Sequence, residues 1–428
     1  MKLLTTTALA LAAGLIAVPA AAQYAPGAPN NTMSGASPPG PPATAVAPDQ
    51  PQAQSAQPSI KLSSKAGKAI IELQKAVKAN DVANIPAKLA AAQAVAQTND
   101  DKYAIGKLQL DAALAAKDNA QAIVAADAIA ASGFLAPGKA AEIYDALGVQ
   151  VYNAKQYDQA AALFQKASAL NPQSAEPLKL LAEARNSQGQ HAEGAAALLK
   201  ALQLSAAAGQ KPEEALYKRA VAMAYDAKSP SAVEIGRQWV AAYPSPDSWH
   251  NSLAIYRNLN NPDPAIALDI LRLSCATNSM QGTGDYHIYA YEAANQANYG
   301  EAKSLIAEGL AAGKIKASDP VVQEIQGVLK GKTAPTAAEL AAAEQGAKIP
   351  SAFIHVGDRY YGAANYQKAA ELYTAALAKG ADANLANLRL GEALARAGDK
   401  AGATAALNKV GGSLAEIAKF WLAYVQHG

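Results

Sequence analysis

One arrangement of large and small side chains returns along this sequence at a spacing of about 34 residues. Residues 141–174 show it most clearly: Leu147 and Gly148 fall in one apolar helical pattern, and Ala160 and Phe164 fall in the next. Large residues stand where two helices of a hairpin face each other, and small ones stand where the helices cross closely. One such hairpin cannot bury its own apolar face, so the pattern predicts that copies of it stack side by side.

Later parts of the chain keep the same phase to different degrees. The clear copies are 175–208, 350–383 and 384–417, the looser ones are 246–282 and 283–316, and 212–245 and 317–349 keep helical spacing but lose most signature positions. This recurrence resembles the tetratricopeptide repeat (TPR) family. The resemblance implies an all-α fold, a right-handed superhelical α-solenoid of TPR-like helical hairpins.

The two ends of the chain have other compositions, and they divide it into five predicted segments. Residues 1–22 carry Lys2, a short apolar stretch and an Ala-x-Ala site, as a cleavable signal peptide does. Residues 23–60 are rich in Pro, Gly and Ala and predict a disordered linker. The remaining segments are degenerate N-terminal hairpins at 61–136, TPR-like repeats at 137–412 and a C-terminal capping helix at 413–428.

The last segment also has a second interpretation. Phe420 and Trp421 are large for an Ala-rich chain, so this helix is alternatively a partner-binding or dimerising element. End capping is the first interpretation, because a solenoid needs a cover for its exposed apolar end.

Charge and cysteine content exclude several classes of protein. The 37 basic and 35 acidic residues leave a net charge of +2, without the basic footprint that nucleic-acid binding requires. Cys275 is the one cysteine, so no intramolecular disulfide forms, and its apolar neighbours predict a small buried residue. After signal cleavage we expect no membrane insertion, because no other stretch is long and apolar enough.

The sequence also lacks the usual motifs of catalysis. The five histidines form no H-x-x-x-H or H-E-x-x-H pair, and no nucleophile elbow, P-loop or dinucleotide fingerprint is present. We therefore predict a protein that is not an enzyme and has no cofactor and no metal site.

The resemblance to TPR proteins instead implies a concave groove lined by the first helix of each hairpin. Carried over position by position, it names these candidate partner-binding residues: Tyr152, Asn153, Lys179, Asn186, His250, Arg257, Asn258, His287, Tyr291, Asn295, Asp358, Tyr361 and Arg396. They mix both charge signs with aromatic and amide groups, which suits a protein or peptide better than a phosphate or a metal.

The function predicted from the sequence is a periplasmic, non-catalytic scaffold that binds a protein or peptide partner in this groove. Secretion beyond the cell is the second choice of location. One alternative function is a cell-envelope or cell-wall assembly factor that docks through its termini. Another is a small-molecule or glycan-binding protein, or an enzyme, with a site between repeats. The oligomeric state stays open.

Overall fold

A computed structural model describes residues 59–427, except Asp263 and the side chain of Ala265. The predicted signal peptide and all but the last residues of the predicted linker lie outside the described residues. Within them the chain forms 21 α-helices and one short 3₁₀ turn, with no β-strand, which confirms the all-α prediction.

The helices follow one another with short connections. In chain order they are α1 (Ser64–Lys78), α2 (Ile85–Val95), α3 (Asn99–Ala115), α4 (Asn119–Ala131), α5 (Pro137–Asn153), α6 (Tyr157–Leu170), α7 (Glu176–Ser187), α8 (His191–Ala207), α9 (Glu214–Asp226), α10 (Ser231–Ala242), α11 (Pro246–Asn260), α12 (Pro264–Ala276), α13 (Gly282–Asn295), α14 (Tyr299–Ala311), α15 (Pro320–Val328), α16 (Ala337–Gly346), α17 (Pro350–Gly362), α18 (Tyr366–Ala378), α19 (Ala383–Arg396), α20 (Lys400–Leu407) and α21 (Ala415–His427). Proline opens several of them, where its missing N–H costs nothing.

Equivalent positions of the repeat make equivalent contacts. A Cβ added to Gly357 would lie 2.6 Å from the ring of Tyr373, and one added to Gly391 would lie 2.5 Å from Leu407. Gly148 meets the ring of Phe164 in the same way. Glycine at this position therefore lets the second helix approach the first, and the predicted phase of the TPR-like hairpins is confirmed.

The turn inside the hairpin also repeats. The fifteenth residue of five units has a positive φ: Lys155 (62°), Gly189 (77°), Ala297 (60°), Ala364 (57°) and Gly398 (86°). This left-handed conformation ends the first helix and aims the chain into the second. Three of these five positions hold a residue with a Cβ, which carries a steric cost there.

The array is interrupted between α14 and α17. Helix α14 packs directly on α17, as α6 packs on α7, while the short helices α15 and α16 lie outside that stack, on α13 and α17 respectively. Residues 317–349 are therefore an insertion and not a stacked hairpin. This explains why the sequence loses the signature positions there.

Helix α12 lies at the centre of the C-terminal half. Its residues 268–274 are all buried, so it has no solvent-facing side. It makes a smaller contact with its hairpin partner α11 than most second helices make with theirs, and α21 contacts both α10 and α12. The ring of Phe420 lies 6.3 Å from that of Trp249 and 6.2 Å from that of Tyr256, both on α11. Helix α21 thus covers α20 on one side and joins the middle of the chain on the other.

Candidate partner-binding face

The first helices of the N-terminal and middle hairpins are bridged to one another by side chains. Between α5 and α7, the hydroxyls of Tyr152 and Ser187 are 2.9 Å apart. Between α7 and α9, the guanidinium of Arg219 donates two hydrogen bonds, of 3.0 and 2.8 Å, to the carboxylate of Glu183. These bridges place the residues of successive hairpins on one continuous face.

The bridges continue from α9 to α13. The amide of Asn258 donates a hydrogen bond of 3.1 Å to the hydroxyl of Tyr225. Asp285 lies 3.4 Å from Nδ1 of His250 and 3.6 Å from Nη2 of Arg257. The face therefore has a cation-rich centre on α11 that is held by one acidic side chain of α13.

This centre shifts the pKa values of its two titratable members in opposite directions. The hydrogen bond to Asp285 is the main cause of the raised pKa of His250, and it outweighs the opposing effect of partial burial. Burial alone would raise the pKa of Asp285, but hydrogen bonds from His250 and from the backbone N–H of Gln281 lower it. Both shifts favour the charged pair.

Apolar side chains stand exposed beside these charges. Ile288 and Tyr291 on α13 are each 41% exposed, and Tyr225 on α9 is 37% exposed. The ring of His287 lies 5.8 Å from that of Tyr291, and its Nε2 lies 3.9 Å from Glu324. Exposed aromatic and aliphatic groups next to arginine are typical of the anchoring residues of protein interfaces.

The α5 end of the face has spare hydrogen-bonding capacity. Oδ1 of Asp145 has no partner among the described residues. Burial, followed by the charges of Glu176 and Glu142, raises the pKa of Asp145 to about 7. This carboxyl therefore titrates near neutral pH, well above the range of an exposed aspartate.

The remaining predicted residues of the bridged face lie on α5, α7 and α13. Asn153 and Asn295 are exposed. Lys179 pairs with Glu176 at 3.0 Å, and Oδ1 of Asn186 lies 2.8 Å from Nδ1 of His191. Sequence reasoning missed Arg219, Tyr225 and Asp285, because the repeat phase was least certain around α9 and because Asp285 lies one step outside the family positions.

The predicted groove is not open at Asp358 and Tyr361, and the prediction is wrong for these two residues. Asp358 and Tyr361 are 2% and 6% exposed, because α12 occupies the space that they face. The guanidinium of Arg272 on α12 lies 4.4 Å from the centre of the Tyr361 ring. Arg396 is half-buried and donates a hydrogen bond of 2.9 Å to the hydroxyl of Tyr366.

Other kinds of site have little support within the described residues. No group of three or more His, Cys, Asp or Glu side chains there is arranged to hold a metal ion. None of the described helices has the length and apolarity needed to cross a bilayer. A crevice of about 560 Å³ lies between α14 and α15, with Ile306, Leu310 and Leu329 in its wall.

Comparisons with known proteins give structural neighbours only. Solved structures that match include MamA of Desulfovibrio magneticus (18% identity over 42% of this chain and 96% of that one, TM-score 0.25). PilF of Pseudomonas aeruginosa matches with 13% identity over 61% and 97%, TM-score 0.24. A tetratricopeptide repeat protein of Parabacteroides merdae matches with 11% identity over 78% and 100%, TM-score 0.25. No protein-family model and no curated protein matches the chain. Similarity at this level concerns the helical-repeat fold alone.

Proposed function

We propose that the bridged face of α5, α7, α9, α11 and α13 binds a protein or peptide segment, and that the chain is a non-catalytic scaffold. The observation that carries this proposal is the exposure of Tyr225, Ile288 and Tyr291 beside Arg257. A scattered exposed aromatic needs no explanation, but here three large apolar groups stand on α9 and α13, the first helices on either side of α11 in the series. Aromatic rings and arginine together give large contact area and directional hydrogen bonds, which a peptide backbone and its side chains can use.

The charges of this face suit binding better than catalysis. His250 and Arg257 share the carboxylate of Asp285, so their positive charge is partly compensated within the protein. Such compensation lowers the cost of covering the charges with a partner, because no isolated ion has to lose its water. The proposal also places the protein in the periplasm, and this part rests on the signal-peptide pattern of residues 1–22.

A photocrosslinking experiment tests where a partner binds. We would place the photoreactive residue benzoylphenylalanine at position 225 or 291 and irradiate cells that express the protein. A discrete adduct from both positions is expected. The matched control position is Val124, an apolar residue on α4 that is 52% exposed and outside the face. Adducts of the same mass and yield from position 124 would contradict the proposed face.

Affinity measurements with the identified partner then test individual side chains. Tyr291→Ala and Arg257→Ala should each weaken binding by about tenfold or more, which is the usual effect of removing an anchoring residue. Ile71→Ala is the control, since Ile71 is 49% exposed on α1, away from the face. Equal affinities for all three variants would refute the assignment of this face.

A further inference from the structure

A buried network of charges surrounds α12. It contains four carboxyl groups and two guanidinium groups, all at most 6% exposed: Asp269, Glu301, Asp358, Glu392, Arg272 and Arg389. They come from α12, α14, α17 and α19. The ion pair of Asp269 with Arg389 joins residues 120 positions apart. A stacked repeat array makes contacts between neighbours, so this network, together with α21, ties the C-terminal hairpins to the middle of the chain.

Two of the four carboxylates are fully satisfied. Glu301 accepts hydrogen bonds of 2.8 and 2.9 Å from Arg272 and one of 2.8 Å from the hydroxyl of Tyr289. Asp358 accepts one of 2.6 Å from Arg389 and one of 2.8 Å from the hydroxyl of Tyr373. Both groups have the partners that a buried carboxylate needs.

The other two carboxyls are poorly satisfied. Neither oxygen of Glu392 has a hydrogen-bond partner among the described residues, and neither does Oδ2 of Asp269. The nearest cation to Glu392 is Nη1 of Arg272, at 3.9 Å from Oε2. With four carboxylates and two guanidiniums, the network would carry two uncompensated negative charges if every carboxyl were ionised. Such charges inside a protein are strongly unfavourable, so a proton has to remain.

Within the described part of the chain, no charge outside the network compensates Glu392. The titratable and charged groups around the network are Cys275 on α12, Tyr289 on α13, Tyr361 on α17, Tyr373 on α18, Arg396 on α19 and Tyr424 on α21. Burial raises the pKa of the Cys275 thiol and of the three buried tyrosines, which keeps them neutral. The guanidinium of Arg396 interacts with Tyr361 and Tyr366 instead, so it does not compensate Glu392.

We propose that Glu392 and Asp269 form a proton-operated latch, in which bound protons hold α17–α21 against α12 and their loss releases this docking. The leaving proton goes to solvent, and the two charges left behind repel each other across the α12–α19 contact. Release uncovers the sides of α17 and α19 that α12 now covers, including Asp358 and Tyr361. The residues of the latch lie outside the bridged face, so a negative result for the latch leaves the proposed function untouched, and the reverse also holds.

The sign of the pH dependence follows from the direction of the shifts. Burial, then the charge of Asp269, raises the pKa of Glu392 well above its usual range. Burial likewise raises the pKa of Asp269 against the opposing charges of Arg389 and Arg272. A group with a raised folded pKa contributes stability below its unfolded pKa and loses it as pH rises toward the folded value. The docked state should therefore weaken above about pH 4.5, by up to tenfold in its equilibrium constant per pH unit for each proton released.

The experiment compares the full chain with Glu392→Gln between pH 5 and 9. Gln resembles the protonated acid and cannot ionise. Two readouts follow docking. One is tryptophan emission, to which Trp249 and Trp421, buried at the α11–α21 contact, contribute together with Trp239 on α10. The other is alkylation of Cys275 on α12 relative to a free thiol at the same pH. The control is Glu371→Gln, which removes an exposed carboxyl on α18.

We expect the wild type and Glu371→Gln to show red-shifted emission and faster relative alkylation as pH rises, and Glu392→Gln to stay near its low-pH values. The ratio of the wild-type to the variant docking constant should then fall with pH. Identical pH profiles for wild type and Glu392→Gln would overturn the latch. If Glu392→Gln does not fold, Asp269→Asn takes its place, and a pH profile equal to that of the wild type would overturn the latch in the same way.

Discussion

The left-handed turn inside each hairpin gives a stability prediction that can be worked out from one angle. Ala364 has φ = 57°, a conformation in which a Cβ costs about 1–2 kcal/mol. Its predecessor Ala363 has φ = −87°, which suits any residue. Both alanines are exposed, so neither substitution removes a packing contact.

Replacing each alanine by glycine should therefore give opposite results. Glycine costs about 0.5–1 kcal/mol through the entropy of the unfolded chain at either position. At 364 the relief of strain exceeds this cost, so Ala364→Gly should raise the free energy of unfolding by about 0.5–1 kcal/mol. Ala363→Gly has no strain to relieve and should lower it by about 0.5–1 kcal/mol.

The difference between the two variants, about 1–2 kcal/mol, is measurable by urea unfolding followed by circular dichroism. The same gain is expected for Ala297→Gly, where φ is 60°. The two gains should add, because the sites lie in separate hairpins. If Ala364→Gly were as unstable as Ala363→Gly, the repeated left-handed turn would not carry the strain that we assign to it.

Three further predictions follow from single side chains. Arg272→Met removes both hydrogen bonds to Glu301 and should lower the free energy of unfolding, measured in urea, by about 3–5 kcal/mol. Adding Glu301→Gln should recover part of this loss. A loss below about 1 kcal/mol would contradict the network. Asp145→Asn should remove a decline in stability between about pH 4 and 7, since the pKa of Asp145 is raised to about 7; an unchanged pH profile would refute this. Hydrogen bonds from Ser63, Gln97 and Thr98 outweigh burial and hold the pKa of Asp101 well below its usual range. Acidification below about pH 4 should therefore loosen α1 from α3, and Asp101→Asn should loosen it at neutral pH. Full hydrogen-exchange protection of α1 in that variant would contradict this prediction.

The sequence predicted the hairpins well because their signal is local. The contact of Gly148 with Phe164 spans 16 positions and recurs at Gly357 and Tyr373 in the same phase. Side-chain size alone therefore indicated which residues cross and which fill gaps. The order and approximate bounds of the helices follow from the same periodicity.

The closure around α12 could not be predicted in this way, because it depends on contacts between residues that are far apart in the sequence. A partial signal existed: Asp269 and Arg272 lie three positions apart inside an otherwise apolar helix. A charged pair on such a helix indicates that the helix is buried on all sides and needs internal partners. Which acids and bases supply those partners depends on how the C-terminal hairpins return to the middle of the chain. For the same reason the repeat pattern predicts an open face at Asp358 and Tyr361, which α12 covers in the structure.

The burial of α12 on every side also has a consequence for synthesis of the chain. Arg389 is added 120 residues after Asp269, and a ribosome that adds about 5–20 residues per second needs roughly 6–24 seconds for this interval. During that time the apolar and charged surfaces of α12 have no final neighbours, so a chain that the proposed signal peptide targets for export has to be kept from misfolding in this interval. Nascent chains of this protein should therefore bind holdase chaperones most strongly when they end between α12 and α19.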